Sequence, residues 1–152
     1  MRNELKASRR CWLRQAGTLF IGCQLTPIAA AAVSDRVSEI VGGGAIEPSR
    51  VSLTIPALAE NGNSVALTVA VESPMSDTDY VREVLIIAEK NPIPEVVRFH
   101  FTPDSGIARA QTRVRLADTQ TITAVAVMND GRRYGGSAEV VVTEAACLEF
   151  LI

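Results

Sequence analysis

Val65-Ala66-Leu67-Thr68-Val69-Ala70-Val71-Glu72 is the stretch that decides the fold class. Large apolar side chains alternate with small or polar ones, which is the period of a half-buried β-strand. The same period recurs on both sides. Val51, Leu53 and Ile55 alternate with Ser52, Thr54 and Pro56, and Asn61-Gly62-Asn63 marks the turn between the two runs. After the break at Ser73-Pro74 and an acidic loop with Asp77 and Asp79, further strands are predicted. They cover 81–90, 95–101, 107–116, 121–128 and 134–143, separated by Asn91-Pro92, Pro94 and Asn129-Asp130-Gly131. About seven β-branched strands with regular turn signals indicate an all-β, immunoglobulin-like β-sandwich. Helix–strand alternation and a Gly-rich phosphate loop are both missing, so nothing points to an α/β fold.

One short helix is predicted ahead of the strands. Ser34 is suited to cap it, Asp35 favours its positive end, and Gly42-Gly43-Gly44 stop it. Val37, Ile40 and Val41 fall on one face of that helix.

The first 32 residues read as an export signal rather than as fold. Ser8-Arg9-Arg10-Cys11-Trp12-Leu13-Arg14 precedes an Ala-rich apolar stretch, and Ala29 to Ala32 offer cleavage sites. The Arg9-Arg10 pair resembles a twin-arginine signal, so the expected location is the periplasm. Phe20-Ile21-Gly22-Cys23 weakly resembles a lipoprotein processing box, which would place a lipid on Cys23. The expected division is a signal over 1–32, a sandwich over 33–144 and a C-terminal arm over 145–152.

Charge narrows the function classes. The chain has 15 basic and 17 acidic residues. Removing the signal takes away five basic residues and Glu4, which leaves 10 basic against 16 acidic and a net charge of −6. Such a chain has no electrostatic reason to bind nucleic acid or an anionic membrane. One histidine, His100, excludes a multi-His metal site. His100 is expected on the strand face opposite Phe99 and Phe101, beside Arg98. Asp77, Asp79, Glu83 and Glu89 are scattered as in a solvated loop and strand face. Arg109, Arg113 and Arg115 form a basic outer edge, and Arg132 and Arg133 follow a hairpin turn. No constellation for catalysis, no metal site and no cofactor is expected.

The cysteines then stand out. Loss of the signal removes Cys11 and Cys23 and leaves Cys147 as one odd thiol. In an oxidising compartment an odd thiol suggests a reactive role or a bond to another molecule. The alternative is an incidental packed cysteine. Its place past the last predicted strand allows it to enter another protein's pocket. Glu144 and Glu149 flank it and disfavour the thiolate. That favours a carrier loaded by a partner over a self-activated nucleophile. A thiol redox sensor is disfavoured, because neither a resolving cysteine nor an activating base is visible.

Several motifs in order resemble the SoxY family. They include Ile55-Pro56-Ala57-Leu58-Ala59-Glu60-Asn61-Gly62-Asn63-Ser64-Val65, Glu72-Ser73-Pro74-Met75, Ala88-Glu89-Lys90-Asn91-Pro92 and Phe99-His100-Phe101-Thr102-Pro103. Arg113-Val114-Arg115-Leu116-Ala117-Asp118-Thr119-Gln120-Thr121 and Met128-Asn129-Asp130-Gly131 continue the likeness. The resemblance implies a non-catalytic sulfur carrier of periplasmic thiosulfate oxidation. It also implies an immunoglobulin-like fold, a SoxZ-like partner subunit, and sulfur-processing enzymes that act on a cysteine arm. Cys147 is the matching carrier residue. The arm itself differs from the family's Gly-Gly-Cys-Gly-Gly. Here Ala145, Ala146, Leu148 and Glu149 surround the cysteine, and Phe150-Leu151-Ile152 follow. This is similar to a SoxY-related paralogue group whose arm reads Ala-Ala-Cys-Ile-Glu. Alanines restrict a backbone that glycines leave free, and Leu148 adds bulk. A second expectation is a binding module whose hydrophobic tail docks to a partner.

Overall fold

A computed structural model describes residues 35–145. The signal reading, with Arg9, Arg10 and Cys23, and the arm residues Ala146, Cys147, Leu148 and Glu149 lie outside the described residues.

The order of elements is α1 (Asp35–Ile40), β1 (Val51–Thr54), β2 (Leu58–Asn61), β3 (Val65–Val71), β4 (Val81–Ala88), β5 (Glu95–His100), a 3-10 turn at Pro103–Ser105, β6 (Ala108–Val114), β7 (Gln120–Met128) and β8 (Arg133–Glu144). The strands form two sheets. The smaller has the order β1-β3-β6, and the larger has the order β2-β8-β7-β4-β5. The all-β sandwich expected from the alternation is what the chain builds.

Alternation sets the inner face. Val65, Leu67, Val69 and Val71 of β3 point inward. They meet Val84 and Ile86 of β4, Ala124 and Ala126 of β7, and Val140 of β8 in one core. Gly136 lets the sheets approach closely. A Cβ there would lie 2.5 Å from the carbonyl oxygen of Val51.

The central strands β4 and β7 break the alternation. Val84 to Ala88 and Ile122 to Val127 include apolar residues at consecutive positions, and nearly all are buried. Strands read this way only when both faces are covered. The second cover is α1 and the segment after it. Val37 is fully buried on Leu85, Ile87, Val125 and Val127, with Ile40, Val41 and Ile46 packed around it. The apolar helix face expected from spacing therefore covers the outer face of the larger sheet.

Among the described residues there are eight strands rather than about seven. The additional one is β2, which lies in what reads as the approach to a turn. Pro56 lacks the N–H that would extend the β1 ladder, and the chain crosses to the other sheet there. Leu58, Ala59 and Asn61 then pair in parallel with Val141, Val142 and Glu144 of β8.

Candidate functional site

β8 is the longest strand among the described residues, and the expected arm follows it in sequence. Its last residues are held from several sides. The amide of Gly62 donates to the carbonyl of Glu144 at 2.8 Å, and the amide of Leu116 donates to the carbonyl of Gly62 at 2.8 Å. Thr143 Oγ1 donates to the carbonyl of Glu60 at 2.8 Å. Thr119 Oγ1 accepts from the amide of Val142 at 2.9 Å. Strand β2 and two loops, at Gly62 and at 116–119, thus grip the end of β8 before Ala145.

Gly62 is the keystone of that grip. A Cβ there would sit 2.4 Å from the carbonyl oxygen of Leu116 and 3.0 Å from that of Glu144. Both atoms are backbone, so neither can rotate away. Gly62→Ala is expected to cost about 1–3 kcal/mol through overpacking. Amide hydrogen exchange should show faster exchange concentrated in 58–62, 116–119 and 141–144, with the β4–β7 core protected.

A polar network braces the same end of the sandwich. The buried Gln120 accepts from the amide of Lys90 at 2.9 Å and donates to Asn91 Oδ1 at 3.0 Å. Asn91 Oδ1 also accepts from the amide of Ala117, and Asn91 Nδ2 donates to the carbonyl of Arg115. Every polar atom of a buried amide needs a partner, and Gln120 finds its partners in the Lys90 amide and the Asn91 side chain. Lys90 pairs with Asp118 at 3.1 Å. That hydrogen bond, then the backbone amide of Thr119, hold the Asp118 carboxyl below the usual range. The arm root is therefore a rigid platform. Ala145 is the one arm residue described, half-buried just past β8.

The other candidates are dispersed. His100 is exposed, as expected, and faces Glu83 across the strands. Glu83 aligns with Val127, and Val127 with Arg133, at the start of β8. His100 is therefore level with the far end of β8, eleven residues or about 35 Å from Glu144. Cys147 lies three residues past Glu144, a reach of at most about 11 Å. A Cys–His pair within one chain is excluded by that distance.

Glu83 is bound to Arg82 and Arg98, each at 3.1 Å, and Arg98 also holds Glu95 at 2.8 Å. The Arg98 hydrogen bond, opposed by slight burial and reinforced by its charge, lowers the Glu95 pKa. A carboxylate with a lowered folded pKa stabilises the fold at neutral pH and loses that effect as pH falls. Arg98→Ala should cost up to about 1 kcal/mol near neutrality, since the group is partly exposed. The difference from the parent should shrink below pH 4.5, the ordinary value for Glu95. Chemical denaturation at several pH values checks this.

Asp79 lies 3.6 Å from Arg132, whose Nε also bonds Asp130. Arg132 is thus neutralised by carboxylates rather than open to an anion. Among the described residues no group of three or more His, Cys, Asp or Glu is placed to hold a metal ion. No helix among them is long and apolar enough to cross a membrane.

Comparison with known proteins adds identity to this geometry. The family described as "Sulfur oxidation protein SoxY" matches residues 37–147. The chain is similar to the sulfur carrier protein SoxY from Chlorobium limicola f thiosulfatophilum, with 28% identity and a TM-score of 0.59. That likeness covers 72% of this chain and 94% of the other. A superoxide reductase (neelaredoxin) from Ignicoccus hospitalis is similar at 16% identity, with 63% and 82% of the two chains covered and a TM-score of 0.55. A putative superoxide reductase from Thermotoga maritima is similar at 20% identity, with 62% and 86% covered and a TM-score of 0.52. The two reductases share the fold alone. No match was found among curated proteins.

Proposed function

The chain belongs to the SoxY family of sulfur oxidation proteins, and from that premise we propose that it is a non-catalytic sulfur carrier working from the periplasm. Its cargo is held covalently on Cys147 and offered to partner enzymes on the C-terminal arm. The observation that carries this reading is the reach of the family match. It runs through residue 147 and so takes in the arm cysteine as well as the sandwich. The rigid root at Glu144 supports it. A carrier needs a fixed base so that a short arm searches a small volume, and the grip of Gly62, Thr119 and Thr143 provides one.

The twin-arginine pair Arg9-Arg10 fits export after folding. A SoxZ-like subunit and sulfur-processing enzymes are the partners this reading calls for. The Ala145-Ala146-Cys147-Leu148-Glu149 arm is stiffer and bulkier than a glycine arm. Its processing enzymes need a wider channel, and thiosulfate is one of several sulfur species such a channel could admit.

The other reading, a hydrophobic tail that docks, makes a separable claim. Under the carrier reading, Cys147→Ser keeps partner binding and loses cargo. Under the docking reading, removal of residues 148–152 abolishes partner binding, while Cys147→Ser changes nothing measurable. Co-purification of the two variants from the native host, followed by cargo analysis, separates them.

A further inference from the structure

Charge is unevenly divided between the two sheets. β1, β3 and β6 contain no Asp or Glu, although acidic residues outnumber basic ones in the chain. β6 contains Arg109 and Arg113, and Arg115 follows one residue after its end. Register places Arg109 beside Ala70, Gln111 beside Thr68 and Arg113 beside Ala66. Ser52 and Thr54 of β1 lie on the other side of Ala70 and Thr68. The outer face is therefore a flat field of small side chains with a row of arginines along its free edge.

Those arginines differ from four other basic residues of the sandwich. Arg82, Lys90, Arg98 and Arg132 are each paired with a carboxylate. Arg109, Arg113 and Arg115 have no carboxylate partner among the described residues. Arg113 donates only to the carbonyl and hydroxyl of Ser64. Glu72, just past β3, is the carboxylate next to this sheet in sequence, and it pairs with none of them.

The row also points somewhere. It runs from Arg109 toward Leu116, whose amide binds Gly62, which in turn binds Glu144 at the arm root. We propose that the outer face of β1-β3-β6 is a docking surface for a protein that presents carboxylates along a strand or flat face, and that docking there brings this protein to the cysteine arm. The proposal rests on the carrier reading for its second half.

The occupant follows from charge and size. Arg109 and Arg113 stand about 13 Å apart along the strand. The face spans on the order of 300 Å², well below the roughly 800 Å² per partner of a stable complex. Such a surface suits a brief, charge-steered encounter. An extended polyanion or anionic membrane would meet the acidic remainder of the molecule, so a protein with a local carboxylate patch fits better.

The test uses the full chain in its native host. Gln111 and Thr68 are replaced one at a time by the photo-crosslinker p-benzoylphenylalanine, with Thr121 on the outer face of the larger sheet as control. The expected result is heterologous adducts from Gln111 and Thr68 whose crosslinked partner peptide carries Asp or Glu. Adduct yield should fall roughly tenfold in the Arg109→Glu/Arg113→Glu variant. It should also fall near 1 M salt, where the screening length is about 3 Å. Arg109→Glu alone avoids the Ser64 contacts and guards against a folding artefact, with thermal melting as the check. Adducts that ignore charge reversal, adducts equally strong from Thr121, adducts only to a second copy of this chain, or no adducts would each overturn the proposal. Cargo on Cys147 is read separately by mass. Charge-dependent adducts with Cys147 never loaded would sink the carrier reading and leave the surface standing. A loaded Cys147 with adducts indifferent to charge would do the reverse.

Discussion

Cys147→Ala is expected to abolish sulfur flux through the host pathway while leaving the fold unchanged. The cysteine lies three residues past Glu144, the last residue of β8, in sequence. The carrier reading puts its thiol on a presented arm rather than in a core, so the melting temperature should stay within about 1–2 °C of the parent. A carrier without its thiol has nothing to hold the cargo, so the loss is complete rather than graded. The measurement is sulfur-compound consumption by a strain whose sole copy is the variant. Full consumption would remove the covalent role of Cys147.

Ile86→Ala carries the largest expected change in stability. Ile86 is fully buried on the inner face of β4, between Val97 of β5 and Ala124 of β7. β4 lies inside the larger sheet, so its neighbours are held by ladders on both sides and cannot collapse into the space left. Truncation then costs the transfer energy of the lost carbons plus that of the cavity, about 2–5 kcal/mol. For a domain of this size that lowers the melting temperature by roughly 8–20 °C. Thr121→Ala, on the exposed outer face of β7, should stay within about 0.5 kcal/mol. Equal effects at the two positions would contradict the assignment of faces.

The strands that were legible in the sequence are those where one face is wet. Residues 65–71 show this clearly, because period two survives only when alternate side chains meet solvent. β4 and β7 carry a second message. Their unbroken apolar runs announce a cover on both faces, and the apolar stripe of Val37, Ile40 and Val41 is the piece that supplies it. Neither segment alone tells which covers which. β2 was hidden for a different reason. Leu58-Ala59-Glu60-Asn61 has no β-branched residue, and its stability comes from parallel pairing with a strand some eighty positions later.

The site divides in the same way. Cys147 is legible from cysteine arithmetic and from the family resemblance. The grip at its root is not. Asn61-Gly62-Asn63 reads as a turn, and the turn is there. The close approach that demands glycine at 62 involves Leu116 and Glu144, which only the fold brings together. Thr119 and Thr143 likewise look like ordinary loop and strand residues until the partners of their hydroxyls are known. His100 shows the opposite case. Its chemistry attracts attention in the sequence, and the register of β4, β5, β7 and β8 removes it from reach of the arm.

The central claim is that Cys147 carries a sulfur group in the working protein. The most direct measurement is the intact mass of the protein purified from its native host without reductant, repeated after treatment with a thiol reductant. The account predicts a sulfur-containing mass adduct that maps to the peptide bearing Cys147 and disappears on reduction, and its mass identifies the cargo. A bare thiol at Cys147 in protein taken from cells actively oxidising sulfur compounds would contradict it.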